Sequence, residues 1–196
     1  MTKTPLTNRL TNEMQSATQA HRVLDFWFHE LEEGDWWRVN PELDQRIREE
    51  FGDLHTQVAA GMAWPWRRSS RGRLAEIVVL DQFSRQIYRD KPQAFAFDGM
   101  AVALAQEMVS LHQDQQLPLR ERAFCYLPFM HSESLAIHDS AAHLFGTAGL
   151  ENTADFERRH RDIIARFGRY PHRNAVLGRA STPEELEFLK QPGSSF

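Results

Sequence analysis

Three ionisable side chains, Asp81, Arg85 and Arg89, are spaced four residues apart in the apolar stretch LAEIVVLDQFSRQIYR (74–89). A helix turns by about 100° per residue, so Asp81 and Arg85 lie on one face and can form an ion pair. Arg89 lies one turn beyond Arg85 and repels it, so a further carboxylate or an anionic ligand is expected beside the two arginines. The spacing predicts a buried polar site that is either an anion-binding site or a structural lattice of ion pairs.

Acid–base groups follow Pro128, which is expected to break or kink a helix in the run YLPFMHSE (126–133). If the next residues are helical, one face of that helix contains His131, Leu135, His138, Ala142 and Phe145. Glu133 then points about 200° away from His131, and the two cooperate only if the turn after Pro128 is irregular. His131 and Glu133 are the candidates for acid–base catalysis on a substrate held by Arg85 and Arg89.

Further candidates lie near the C-terminus. His160 lies on the apolar stripe of a predicted helix, where a single histidine is usually a core residue. Arg169, His172 and Arg173 belong to an irregular, cation-rich segment, RYPHRN (169–174). The predicted ligand-binding set is Asp81, Arg85, Arg89, His131, Glu133, His160, Arg169, His172 and Arg173.

Metal binding and nucleophilic catalysis are only weakly indicated. The nine histidines form neither HExxH nor HxxxH, and Asp139 with His143 is a pair of ligand types that arises readily by chance. Ser132 lies outside any GxSxG elbow, and Cys125 lies between two aromatic residues in a predicted core segment. We therefore predict neither a metal nor a cofactor.

The composition narrows the class of protein. The chain has 196 residues, a formal net charge of -4 and one cysteine. The charge argues against general nucleic-acid binding, so the Trp- and Arg-rich run GMAWPWRRSSRG (61–72) is interpreted as a surface loop whose tryptophans pack on the core. No segment approaches the roughly 18 apolar residues of a membrane span, and a single cysteine fits a reducing compartment. A cytoplasmic protein without nucleic-acid or membrane partners is predicted, and its oligomeric state is left open.

Helices must position the candidate residues. The stretch 74–89 is apolar on nearly all sides, so we expect a buried helix at the centre of the fold. Asn40 and Pro41 predict the start of an earlier helix, Asp98 is expected to cap the helix after 74–89, and Pro118 can open the next one.

Two further helices are predicted towards the C-terminus. Asn152 or Thr153 is expected to cap a helix with the stripe Phe156, His160, Ile163, Ile164 and Phe167. Gly168 is expected to end it. A capping box is predicted from Ser181 to Glu184.

The predicted class is all-α, with about seven or eight helices in a single domain, because no alternating strand pattern of useful length occurs. Residues 18–190 are expected to form this domain. A flexible N-terminal tail is predicted at 1–17 and a frayed C-terminal tail at 191–196.

The motifs DQFSRQIYR, YLPFMHSE and RFGRYPHRN occur in this order, together with VLDFWF near the start, AFAFD at 94–98 and LGRxSTxxE near the end. In these motifs the chain resembles, from about residue 23 to 189, the bacterial family called domain of unknown function 924. Gln86 stands where Asn is expected in that family. The resemblance implies a tetratricopeptide-repeat-like array of antiparallel helices, and it implies neither an established activity nor a set of catalytic residues.

The leading functional hypothesis is a binding module with an Arg- and His-lined pocket for a small anionic molecule or an acidic peptide end. One alternative is a hydrolase or lyase that uses His131 and Glu133 on an anionic substrate. The other is a scaffold that presents its concave surface to a partner protein.

Overall fold

The computed structural model describes residues 17–195, whose regular elements are all helices. The α-helices are α1 (17–25), α2 (Pro41–Ala59), α3 (Ser70–Ile77), α4 (Ser84–Ile87), α5 (Asp98–Ser110), α6 (Leu119–Met130), α7 (Leu135–Phe145), α8 (Glu151–Phe167) and α9 (Pro183–Phe188). Short 3-10 helices occur at Glu33–Trp36, Trp64–Arg68, Pro92–Phe95, Asp114–Gln116 and Pro171–Arg173. No strand occurs among residues 17–195, and the predicted all-α, single-domain class is confirmed.

A π-helical turn, Val78–Phe83, joins α3 to α4, and we call these three segments the central helix. Counted as one helix, they give eight helices in the described range, as predicted. Leu74, Ile77 and Leu80 are completely buried, so the prediction of a buried helix is correct. The central helix begins at Ser70, because the Ser69 hydroxyl accepts a hydrogen bond from the Gly72 N–H.

Aromatic residues of the π turn that follows α1, Phe26–Glu30, pack on the central helix and on α2. The rings of Trp27 and Phe83 are 5.6 Å apart, and the ring of Phe26 lies 4.9 Å from that of Phe51 in α2. A smaller cluster near the C-terminus contains Tyr170. The aromatic contacts hold the central helix in the interior, and the Tyr170 hydroxyl donates a hydrogen bond to the carbonyl of Met130 at the end of α6.

The Trp- and Arg-rich run is not a plain loop. It contains the 3-10 helix Trp64–Arg68, and its two tryptophans differ: Trp66 is buried, whereas Trp64 is 59 % exposed. The prediction that they pack on the core is therefore correct for Trp66 only. Cys125 is fully buried as predicted, and burial raises the pKa of its thiol.

The sequence predicts a break or a kink at Pro128, and the break is wrong because the helix continues past this residue. An interior proline removes one helical hydrogen bond and crowds the preceding turn, yet α6 continues to Met130. The His131 N–H still donates to the carbonyl of Leu127 and closes the last turn. His131 therefore precedes α7 instead of lying on its face.

Two predicted apolar faces are partly wrong. Ala142 of α7 is exposed, and its buried neighbour on the helix is Ala141. Phe156 of α8 is 50 % exposed, although His160 and Ile164 of the same predicted stripe are buried. In both helices the buried face is therefore narrower than the apolar pattern of the sequence.

Three of the predicted helix caps differ from those in the structure. The N-cap of α8 is Leu150, not Asn152 or Thr153. The capping box of α9 is formed by Thr182 and Glu185, one residue later than predicted. Asp98 is the first residue of α5 and does not cap it, because its carboxylate binds arginine side chains instead.

Only part of the two predicted tails lies within the described residues. The N-terminal tail lies outside the described residues except for residue 17, which begins α1. In the C-terminal tail, Ser194 is buried and donates a hydrogen bond from Oγ to the carbonyl of Leu189. Gly168, by contrast, ends α8 as predicted, with a left-handed φ of 69°.

Candidate functional site

Asp81 lies in the π turn of the central helix, and only 1 % of it is exposed. Its Oδ1 atom is 2.7 Å from Nδ1 of His131 and 3.2 Å from Nη1 of Arg85. Gln82 donates a hydrogen bond to the other carboxylate oxygen. Burial opposes ionisation, but the charge of Arg85 and the contact with His131 outweigh it and hold the pKa of Asp81 well below its usual range.

His131 is oriented by this carboxylate. An ionised carboxylate can only accept hydrogen bonds, so the proton of the neutral imidazole lies on Nδ1 and the lone pair on Nε2. Burial is the main cause that lowers the pKa of His131; the charge of Asp81 opposes this effect and that of Arg85 adds to it. His131 is therefore a neutral imidazole near pH 7, with Nε2 available to accept a proton.

Asp98 connects two arginines from different parts of the chain. Its Oδ1 atom is 3.1 Å from Nη1 of Arg85, and its Oδ2 atom accepts hydrogen bonds from Arg85 at 3.2 Å and from Arg173 at 3.1 Å. The predicted Asp81–Arg85 ion pair is therefore part of a larger network. Sequence reasoning missed Asp98 because it interpreted this residue as a helix cap.

Two aromatic rings fix the orientation of the Arg173 guanidinium. Its guanidinium carbon lies 4.5 Å from the ring centre of Phe95 and 4.5 Å from that of Tyr170. Its Nη2 atom donates to the backbone carbonyl of His131 at 3.1 Å, and its side chain is only 7 % exposed. Burial, followed by repulsion from Arg85, lowers the pKa of Arg173. The guanidinium of Arg173 is therefore fixed in orientation, and its positive charge is only partly neutralised.

A guanidinium carries five N–H donors. In the part of the chain that the structure describes, Arg173 uses two of them, towards Asp98 and His131, and its buried Nε has no hydrogen-bond partner. Because a buried charged donor without an acceptor is costly, these remaining N–H groups favour an additional acceptor.

A cavity of about 370 Å³ lies against this network. Its apolar lining includes Phe95, Val102, Ile137 and Leu177. Its polar lining includes Asp98, His131, Glu133 and Arg173. The structure therefore brings an oriented imidazole and a buried guanidinium to one small, largely apolar space.

Glu133 also lines the cavity, but both of its oxygens are engaged. Arg179 donates to Oε2 at 2.6 Å and to Oε1 at 2.8 Å, and the backbone N–H of Tyr170 donates to Oε1 at 2.8 Å. Burial raises the pKa of Glu133, but these hydrogen bonds outweigh it, and the net shift is downward. The arrangement favours a positioning role for Glu133 over proton transfer. Arg179 was not predicted, and its only sequence signal is its place in the closing LGR motif.

Arg89 and Arg169 are not brought to the cavity. Arg89 forms a two-point ion pair with Asp44 of α2, which supplies the further carboxylate that the spacing of the arginines called for. Arg169 forms a two-point ion pair with Glu185 of α9, at 2.7 and 2.8 Å. The expectation that Arg85 and Arg89 hold a ligand together is therefore not supported by their geometry.

His160 and His172 are neutral histidines behind the site. The ring of His160 is 6.3 Å from that of His131, and burial, followed by the charge of His131, lowers the pKa of His160 to about 3. Burial and the charge of Arg173 lower the pKa of His172 to about 4. Within residues 17–195, no three potential ligands are arranged to hold a metal ion.

The fold and the site define an all-α protein with a buried Asp–His–Arg network beside a small cavity. The chain belongs to the family described as bacterial protein of unknown function (DUF924), whose model matches residues 23–193. The resemblance that the motifs indicated is therefore confirmed. Across residues 17–195, no helix has the length and apolar character needed to cross a bilayer.

The chain is also similar to a solved structure of a protein of unknown function from Agrobacterium tumefaciens. The two share 33 % sequence identity and a TM-score of 0.85, over 89 % of this chain and 98 % of the other. No curated protein matches the chain. The tetratricopeptide-repeat-like arrangement of the helices stays a prediction from the resemblance.

Proposed function

We propose that the cavity binds a small molecule that combines an anionic group with an apolar part. The observation that carries this proposal is Arg173, a side chain more than nine-tenths buried that lines the cavity and has N–H donors to spare. Carboxylate and phosphate oxygens are the acceptors that a planar guanidinium binds best.

The two rings beside Arg173 strengthen this proposal. Phe95 and Tyr170 lie 4.5 Å from its guanidinium carbon, so the orientation of the donors is set before any ligand arrives. A fixed donor loses little conformational entropy on binding. Preorganisation of this kind is typical of a binding site.

The apolar part of the ligand is inferred from the other side of the cavity. Phe95, Val102, Ile137 and Leu177 offer carbon surface, and the volume of about 370 Å³ is near the lower end of the usual range for ligand pockets. A small aromatic or branched acid fits these dimensions better than a bare inorganic anion. The single, fully buried Cys125 is consistent with a cytoplasmic setting for such a ligand.

Calorimetric titration tests the proposal with three related probes. Phenylacetate carries both features, acetate carries the anion alone, and 2-phenylethanol carries the ring without the charge. Phenylacetate should bind most tightly. Phenyl phosphate shows whether a phosphate replaces the carboxylate, and a short peptide ending in phenylalanine shows whether a chain terminus does.

Two matched variants show whether phenylacetate binds through Arg173. Arg173→Lys keeps the positive charge but loses the planar donors, and we expect it to weaken phenylacetate binding by roughly 10- to 100-fold, since a charged hydrogen bond contributes about 1.5–3 kcal/mol. Arg89→Lys is the control, because Arg89 binds Asp44 and does not line the cavity. Equal affinity of both variants for phenylacetate, or preference for the neutral alcohol, would contradict the proposal.

A further inference from the structure

We infer that the cavity is catalytic, with His131 as the general base that removes a proton from the bound anion and Asp81 as the residue that positions it. This inference rests on the proposed function and names the reaction class of the same site. Proton removal next to an anionic group is the first step of an isomerisation or an elimination. The sequence suggested either a hydrolase or a lyase. Proton removal as the first step favours the lyase.

The contact between Asp81 and His131 carries the inference. A carboxylate that is 1 % exposed accepts from Nδ1 at 2.7 Å, so the imidazole is fixed in one tautomer and one orientation. Because Nδ1 is engaged in the interior, Nε2 is the nitrogen left for the cavity that His131 lines. An Asp–His pair of this form is a standard way to orient a base and to stabilise its protonated form.

Arg173 lies on the same wall as the base. Its Nη2 atom donates to the backbone oxygen of His131 at 3.1 Å and both residues line the cavity, so an anionic group bound by Arg173 would share the cavity with the imidazole. In the proton transfer, a C–H or O–H bond of the ligand breaks and an N–H bond forms at Nε2. The electron pair stays on the ligand, where the charge of Arg173 stabilises it.

No competing base is as well placed. Glu133 is held by Arg179 and by the Tyr170 N–H, and Asp98 is held by two arginines. Both carboxylates are therefore stabilised as ions by partners that proton uptake would have to break. Within residues 17–195, His131 is the titratable side chain of the cavity lining that keeps a ring nitrogen, Nε2, without a hydrogen-bond partner.

The charged groups around His131 set the expected pH dependence. Asp81 and Arg85 of the central helix, Asp98 of α5 and Arg173 of the C-terminal segment face it, and the neutral rings of His160 and His172 lie behind it. Because the pKa of His131 lies below the ordinary 6.5, the base form persists to more acidic pH than in free imidazole. The rate should therefore stay constant down to a pH below 6.5 and then fall.

The experiment uses 5-nitrobenzisoxazole, an aromatic probe for bases in apolar cavities. Loss of its carbon-bound proton breaks the ring N–O bond and releases a coloured phenolate, so no other reactant is needed. His131→Asn keeps a donor for Asp81 but has no base, and it should lower the rate at least tenfold. His21→Asn is the matched control, because His21 forms an exposed pair with Asp25 and does not line the cavity.

Two measurements separate catalysis from a purely structural role. Asp81→Asn removes the charge that favours the imidazolium, so the acidic fall of the rate should move to lower pH while the maximal rate drops. In His131→Ala, added imidazole should restore part of the rate. Phenylacetate should inhibit the wild-type reaction, because it occupies the same cavity.

The outcomes distinguish this inference from the proposed function. If phenylacetate binds through Arg173 but His131→Asn retains the wild-type rate, binding stands and the catalytic inference is overturned. An unchanged pH profile in Asp81→Asn together with no rescue by imidazole also overturns the catalytic inference. If phenylacetate does not bind while the rate still depends on His131, the base stands and the anion-binding proposal fails.

Discussion

Arg85 and Arg89 lie four residues apart, yet they are neutralised by carboxylates from different helices. Arg85 contacts Asp81 of its own helix and Asp98 of α5, whereas Arg89 contacts Asp44 of α2. The repulsion expected between the two arginines is thus relieved by protein groups. The ion pair at Arg89 connects the chain just after the central helix to α2, and the one at Arg85 involves Asp98, which lines the cavity.

We expect Arg89→Met to destabilise the protein by about 1–3 kcal/mol, because it leaves the buried carboxylate of Asp44 without its partner. Urea unfolding of both proteins measures the difference. The double variant Arg89→Met/Asp44→Asn should recover much of the loss. A single variant as stable as the wild type would mean that this ion pair contributes nothing.

We expect Asp81→Ala to cost about 3 kcal/mol or more, because it removes the carboxylate that compensates Arg85 and orients His131 inside the protein. Denaturant unfolding is again the measurement. Asp81→Asn should cost less, since the amide oxygen still accepts a hydrogen bond. A loss below about 1 kcal/mol for the alanine variant would show that solvent reaches this network.

Glu133→Ala should loosen the segment from Tyr170 to Arg179, since this carboxylate binds the backbone of the first residue and the side chain of the last. We expect faster amide hydrogen exchange in that segment and a loss of about 1–3 kcal/mol. Exchange in α2 should stay the same and is the internal control. Unchanged exchange near Tyr170 would remove the positioning role assigned to Glu133.

Acid should destabilise the fold through His160. The unfolded chain takes up a proton near pH 6.5, whereas the folded state resists it until about pH 3. The unfolded state therefore binds more protons between these values, and stability falls as pH falls, by about 1.4 kcal/mol per unit of pKa difference. His160→Asn, which keeps a donor for the Phe156 carbonyl, should flatten this dependence, whereas His21→Asn at the surface should not.

The sequence was most informative where one local pattern decided the outcome. The apolar perimeter of the stretch 74–89 predicts its burial, and the i, i+4 spacing predicts the pair of Asp81 and Arg85. Asn40 caps α2 through its side chain as expected. In these cases the interacting groups are neighbours along the chain.

Partners from distant segments could not be predicted. Asp98 reaches Arg173 across 75 residues, and Asp44 reaches Arg89 across 45. Which carboxylate meets which arginine depends on how the helices pack, and a single sequence does not encode that in any local spacing. The position of His131 before α7 was missed because α6 continues through Pro128 and ends only at Met130.

The central claim is that Arg173 binds the anionic group of a ligand in the cavity. A crystal structure of the protein with saturating phenylacetate tests it most directly, with Arg89→Lys and Arg173→Lys crystals treated alike. We predict carboxylate oxygens within hydrogen-bond distance of Arg173, and a ring against Phe95 and Val102, in the wild type and in Arg89→Lys only. An empty cavity in the wild type, or a ligand whose carboxylate contacts another residue and persists in Arg173→Lys, would contradict the account.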